Sequence, residues 1–216
     1  LLSSKPGKAE KIVPIEYNKF STMERFDQAL FYLINQARSP FFEAILPFFT
    51  SPYAFLLFLF AFFVAVFPLA WRKNIRTIAV AFFFLVLGYG LSDLSCSHIL
   101  KPIFGKERPF ASLERVYYYT PEGKFVFLEK PINRKTRSFP SCHATNAGFL
   151  TVYTFFLRRQ TLFLTLPTAI LIGLSRVYLG HHFPFDVLGG FFFGSILGIF
   201  LGIISGRIRE NYGRRL

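Results

Sequence analysis

Acidic residues are scarce in this chain: 12 Asp and Glu stand against 25 Lys and Arg in 216 residues, a formal net charge of +13. A site for a hard divalent cation takes several carboxylate or carbonyl oxygens at one place, so so few acids argue against one. Cysteine is scarcer still. Cys96 and Cys142 are too few for a disulfide framework, and their spacing fits no zinc pattern. Neither metal nor cofactor is expected, and two packed free thiols are favoured over a bond between the cysteines. Charge is also missing from long stretches. Residues 44–70 and 187–206 contain no Asp, Glu, Lys or Arg, which excludes an ordinary soluble domain.

What fills those stretches is apolar and aromatic: 52% of the chain is hydrophobic and 31 residues are Phe. Spanning the hydrocarbon as a helix takes about 20 mostly apolar residues. Five segments meet that need, at about 53–70, 76–97, 139–157, 161–179 and 185–205. The expected fold is therefore all-α, an integral membrane helical bundle of five transmembrane helices, or six if residues 26–49 also cross. The preferred reading makes the earlier segment an amphipathic interfacial helix. Ser21 and Glu24 form a capping-box pattern; Phe26, Leu30, Leu33, Ile34 and Ala37 recur at helical spacing, while Asp27, Gln28, Asn35, Gln36 and Arg38 take the other face. Residues 1–20 read as a flexible or surface-lying lead-in, and residues 21–216 as one membrane-embedded domain with an outward loop at about 101–137.

The basic residues cluster beside apolar spans rather than along a soluble face, so anionic lipid is the expected partner, and neither nucleic acid nor an obligate protein partner is implied. Arg72, Lys73 and Arg76, then Arg158 and Arg159, then Arg207, Arg209, Arg214 and Arg215 fall at alternate span ends. Basic residues are enriched on the cytoplasmic side of membrane proteins, which places these ends inside and the opposite connections outside. The expected location is the inner (cytoplasmic) membrane, with the functional site on the periplasmic or outer face.

Chemistry gathers at that outer end. Antiparallel threading brings His98 and Lys101, Ser141 and His143, Arg176, and His182 and Asp186 to one face, and with His181 all four histidines lie there. Ionisable groups near a bilayer are costly and mark function. Lys101, Arg108 and Arg176 offer fixed positive charge and forked donors suited to phosphate oxygens. Pro140, Ser141, Cys142 and His143 open a helix, whose free N–H groups favour an anion. His182 and Asp186 stand four apart, where a carboxylate can hydrogen-bond the imidazole and fix its tautomer.

Lys101 is followed by Arg108-Pro109; then come Pro140-Ser141-Cys142-His143, and Ser175-Arg176 followed by His182 and Asp186. Across residues 101–186 this pattern resembles the type-2 phosphatidic acid phosphatase superfamily. It departs from that pattern at Cys142, where the family commonly has glycine. The resemblance implies that His182 attacks phosphorus to give a phosphohistidine, that Asp186 orients it, and that His143 protonates the departing oxygen. It implies phosphate binding by Lys101, Arg108, Ser141, Arg176 and the backbone at Cys142, without a metal. The expected substrate is a phosphorylated membrane lipid, with a lean to lipid A 1-phosphate because a basic outward loop suits a polyanionic glycolipid. Undecaprenyl diphosphate and phosphatidylglycerophosphate are the alternatives, and a non-catalytic lipid binder or transporter with an oxyanion pocket is the reading from another class. His181 and His98 read as structural, Asp93 as a capping or paired residue, and Lys106, Arg134, Lys135 and Arg137 as a solvated basic loop.

Overall fold

The protein is described here by a computed structural model covering residues 21–72 and 75–213; the expected lead-in at residues 1–20 lies outside the described residues. Helix α1 (Thr22–Asn35) starts where the capping box places it: Ser21 Oγ accepts from Glu24 N at 3.3 Å, and Glu24 returns the bond to Ser21 N at 2.8 Å. Its packed face is not the apolar one. Asp27, Phe31 and Asn35 are buried, whereas Phe26 and Leu33 are 56% and 71% exposed. Asn35 explains the inversion, because its Nδ2 donates to the carbonyls of Tyr117 and Tyr178 and its Oδ1 accepts from Tyr117 N. Buried polar side chains are retained where their bonds are filled.

Helix α2 (Pro40–Thr50) and helix α3 (Tyr53–Arg72) meet at a 66° bend. Pro52 disfavours helical geometry at Ser51, which accounts for the break. Helix α4 (Ile75–Leu94) continues through a π-helical turn (Ser95–Leu100) into the short helix α5 (Lys101–Phe104). The outward loop holds helix α6 (Pro109–Ser112) and an antiparallel hairpin of strands β1 (Val116–Tyr119) and β2 (Phe125–Leu128). The fold is mostly helical, as expected, with this hairpin as an addition in the outward loop. The run Tyr117-Tyr118-Tyr119 is part of a strand docked on the bundle, with Tyr119 N donating to Leu179 O at 3.0 Å.

Helices α7 (Cys142–Leu157), α8 (Leu162–Tyr178) and α9 (Pro184–Gly213) begin and end near the expected bounds, α9 running further. Among the described residues, three helical segments, at Ile75–Ser112, Arg159–Tyr178 and Pro184–Asn211, are long and apolar enough to cross a membrane, or four if the bent pair α2–α3 is one span. At 16 residues, α7 is shorter than the roughly 20 a span needs. It is the centre of the bundle nonetheless. Ten of its residues are buried, and Tyr153 reaches Ala81 O at 2.8 Å and Ser205 Oγ at 3.1 Å. Small residues let α9 lie against it, since a Cβ at Gly190 would stand 2.5 Å from Ser141 O and one at Gly194 would collide with Thr145 O. This close approach sets the start of α7 beside the start of α9.

The two cysteines are not free thiols. Cys96 and Cys142 form a disulfide, with Cα atoms 5.5 Å apart. The expectation fails because the π-helical turn carries Cys96 to the first residue of α7, 46 positions along the chain, a juxtaposition that no local pattern announces.

Candidate active site

Gly180, in the left-handed region at φ 78°, closes the end of α8 and turns the chain into His181 and His182. A Cβ there would meet Tyr117 O, so the hairpin and this turn are fitted to each other. His182 is 1% exposed. Burial first, then the charges of Arg176, Arg108 and Lys101 and the nearby His143, hold its imidazole well below the ordinary histidine range. The ring is thus neutral at physiological pH, and the residues expected from the sequence act on one another within one site.

The two phosphate-type cations from the second span and the loop converge, since Lys101 Nζ donates to Arg137 O at 3.2 Å and Arg108 Nε donates to the same oxygen at 3.4 Å. Arg176, 7% exposed, donates from one guanidinium nitrogen to Thr50 Oγ1. Its Nε has no partner among the described residues, and neither has Ser141 Oγ, the hydroxyl at the N-terminal cap of α7. A buried polar atom left unpaired costs about 1–3 kcal/mol, so two such groups beside a buried histidine and two further cations mark a place built for an anion. His143, on the first turn of α7, stands open to a cavity and has Nε2 3.3 Å from Thr50 O.

Asp186 is positioned differently from the sequence reading. Its Oδ2 is 3.7 Å from His182 Nδ1, outside hydrogen-bond reach. Ser138 lies between them, its hydroxyl donating to Asp186 Oδ2 and standing 3.3 Å from His182 Nδ1. Phe183 N also donates to Oδ2, at 2.8 Å, and Lys106 Nζ to Oδ1, at 2.9 Å. Lys106 spans from there to Asp27 Oδ2 at 2.8 Å, and Asp27 Oδ1 accepts from Phe185 N at 2.9 Å. Lys106 is therefore committed to two carboxylates and is not part of a solvated basic loop. Ser138, Lys106, Asp27 and Thr50 went unnoticed as site residues in the sequence. The only signal pointing toward them is a pair of polar residues on a helix face and a serine three positions before Ser141.

Two cavities flank the histidines. One, of about 780 Å³, opens outward and is lined by Lys101, Arg108, Arg134, Lys135, Arg137 and His181, among others. The other, of about 360 Å³, lies between the α2–α3 bend, α4 and α7, with Phe49, Phe55, Phe58, Cys142 and His143 in its wall. Burial, followed by Arg176, lowers the His181 imidazole too, and its Nδ1 has no partner among the described residues.

Fold and site together define a helical membrane protein in which Lys101, Arg108 and Arg176 gather around a buried neutral imidazole. The chain belongs to the PAP2 superfamily, whose family profile matches residues 81–210. It is 40% identical over 106 residues to phosphatidylglycerophosphatase B of Bacillus subtilis, covering 44% of this chain and 51% of that protein. It is 31% identical over 127 residues to a lipid A 1-phosphatase of Rhizobium johnstonii, covering 58% and 47%. The chain spans about half the length of the curated relatives it matches. Among solved structures it resembles LpxE of Aquifex aeolicus, with a TM-score of 0.52 and 27% identity over 88% of this chain and 97% of that one. The fold is also that of a transmembrane PAP2-type phosphatidylglycerolphosphate phosphatase from Bacillus subtilis, with a TM-score of 0.62 and 22% identity over 88% and 89%.

Proposed function

We propose that this chain is a lipid phosphatase that works through a phosphohistidine at the outer face of a bacterial-type inner membrane. The observation that carries the proposal is the pair of unpartnered donors, Arg176 Nε and Ser141 Oγ, beside His182. The single hydroxyl proton of Ser138 goes to Asp186, so its oxygen is left to accept from His182 Nδ1–H. The lone pair then resides on Nε2, which attacks phosphorus. Phosphorus–oxygen cleavage sends the electron pair to the lipid oxygen, His143 supplies the proton, and water next splits the phosphorus–nitrogen bond to release phosphate. Lys101, Arg108, Arg176, Ser141 and the first backbone N–H groups of α7, including that of Cys142, offset the charge that builds on the phosphoryl oxygens.

The five-span reading, with α7 enclosed as the short central span, follows from the same proposal and puts every site residue at one end. The disulfide supports the outer face, because disulfides persist in oxidising compartments. For the substrate the proposal leans to lipid A 1-phosphate, which suits the basic outward cavity, with phosphatidylglycerophosphate and undecaprenyl diphosphate as alternatives. The test is phosphate release with EDTA present from these three lipids, comparing wild type with His182→Ala. Release that survives chelation and disappears in the variant supports the mechanism; release that persists in the variant, or that chelation stops, contradicts it.

A further inference from the structure

If His182 attacks and His143 protonates, the departing alcohol leaves on the His143 side, into the smaller cavity. Its wall is apolar except at a few points. Besides His143 it presents Asp93, Asn146 and Tyr89, and no Lys or Arg lines it. Asn146 lies three residues beyond His143, on the same face of α7 and one turn further along the helix. Its Nδ2 donates to Asp93 Oδ1 at 3.1 Å, whereas its Oδ1 is shielded from water and has no partner among the described residues. Asp93 has no ion pair among them either.

The Asp93 carboxylate is exposed and has no Lys or Arg beside it in this wall; the Lys101 ammonium, whose charge it feels, lines the other cavity. What the wall offers is acceptors: the second Asp93 oxygen and Asn146 Oδ1. Acceptors with no cation bind hydroxyl donors and repel a second phosphate.

We propose that Asp93 and Asn146 form a hydroxyl-reading subsite for the leaving alcohol, so that the preferred substrate is a phosphomonoester whose alcohol bears a free hydroxyl, on glycerol or on a sugar, and not a diphosphate. The proposal rests on the catalytic reading above. Glycerol and sugar hydroxyls share the chemistry, and separate substrates distinguish them.

The experiment measures kcat/KM of wild type, Asp93→Asn and Asn146→Ala on phosphatidylglycerophosphate, lipid A 1-phosphate, undecaprenyl diphosphate and phosphatidic acid, whose departing diacylglycerol has no further hydroxyl. Wild type prefers at least one of the first two over phosphatidic acid, and the lipid preferred names the source. Both variants lower that preference about tenfold, the scale of one lost hydrogen bond to a charged or buried acceptor. Asp93→Asn also raises the diphosphate relative to phosphatidic acid by about fivefold, as removal of one repelling charge requires. Because each readout is a ratio within one protein preparation, a folding defect that lowers all activities together leaves it unmoved. Ratios equal to wild type in both variants overturn the subsite. His182→Ala run alongside separates this from failure of the mechanism: an active His182→Ala sinks the catalytic reading, whereas an inactive one with unchanged variant ratios sinks the subsite alone.

Discussion

The outward cavity and the chamber beside His143 share one site and are built from opposite materials. Lys101, Arg108, Arg134, Lys135 and Arg137 line the first. Phe49, Phe55, Phe58, Leu150 and Ile172 line most of the second, without a single Lys or Arg. Under the proposed function, this contrast suits a molecule that is anionic at one end and oily at the other: the cationic cavity would hold the phosphate and the apolar chamber would receive the lipid portion. Arg176 Nε and Ser141 Oγ, which line neither cavity, are buried donors left without a partner among the described residues.

Removing Arg176 gives the largest effect. Arg176→Ala lowers kcat by about 10²–10³ on every substrate, the cost of removing one preorganised donor from a developing oxyanion; steady-state kinetics on a lipid and on a soluble phosphomonoester check it, and a loss confined to one of them contradicts the shared-site picture. Reduction of the Cys96–Cys142 bond, which ties the wall of the chamber to the approach to Lys101, destabilises the protein by about 2–4 kcal/mol and lowers the thermal unfolding midpoint, read by melting with and without dithiothreitol. Ser51→Trp, which narrows the chamber at the α2–α3 bend, lowers kcat/KM for lipid about tenfold and spares a soluble phosphomonoester. Arg134→Ala with Lys135→Ala acts on the other side only. It raises KM for a polyanionic head group about fivefold, less at high salt, and leaves phosphatidic acid unchanged.

The smallest effect is one of pH. The folded-state pKa of His182 lies below its unfolded value because burial and then Arg176 oppose the imidazolium. Its contribution to stability is therefore complete above the ordinary histidine pKa of about 6.5 and is lost as pH falls below it, since the unfolded chain takes up a proton that the folded chain refuses. Arg176→Ala narrows this acid sensitivity by letting the folded-state value rise, measurable as a shallower decline of the melting midpoint between neutral and mildly acidic pH.

Much of this was legible in the sequence, and the parts that were not have identifiable causes. The capping box at Ser21 and Glu24, both ends of α8, the starts of α4 and α9, and the gathering of His143, Arg176, His182 and Asp186 are local or follow from threading apolar spans back and forth. The two faces of α1 were legible in the sequence, but not that the polar one docks on the bundle. Beside a bilayer the exposed side is apolar, and Asp27 and Asn35 turn inward to bond Lys106, Phe185, Tyr117 and Tyr178. Ser138 between Asp186 and His182, the two-carboxylate bridge of Lys106, and the disulfide each join residues more than 40 positions apart. Such pairs leave no periodicity to read. The hairpin escaped notice because its four-residue strands are too short for alternation to stand out in so aromatic a run.

The most direct test of the central claim is to quench the purified protein with alkali during turnover of a 32P-labelled lipid phosphate and look for acid-labile, alkali-stable label on the chain. The account predicts labelled His182 in the wild type and no label in His182→Ala. Turnover without label at His182, or label that persists in the variant, would contradict it.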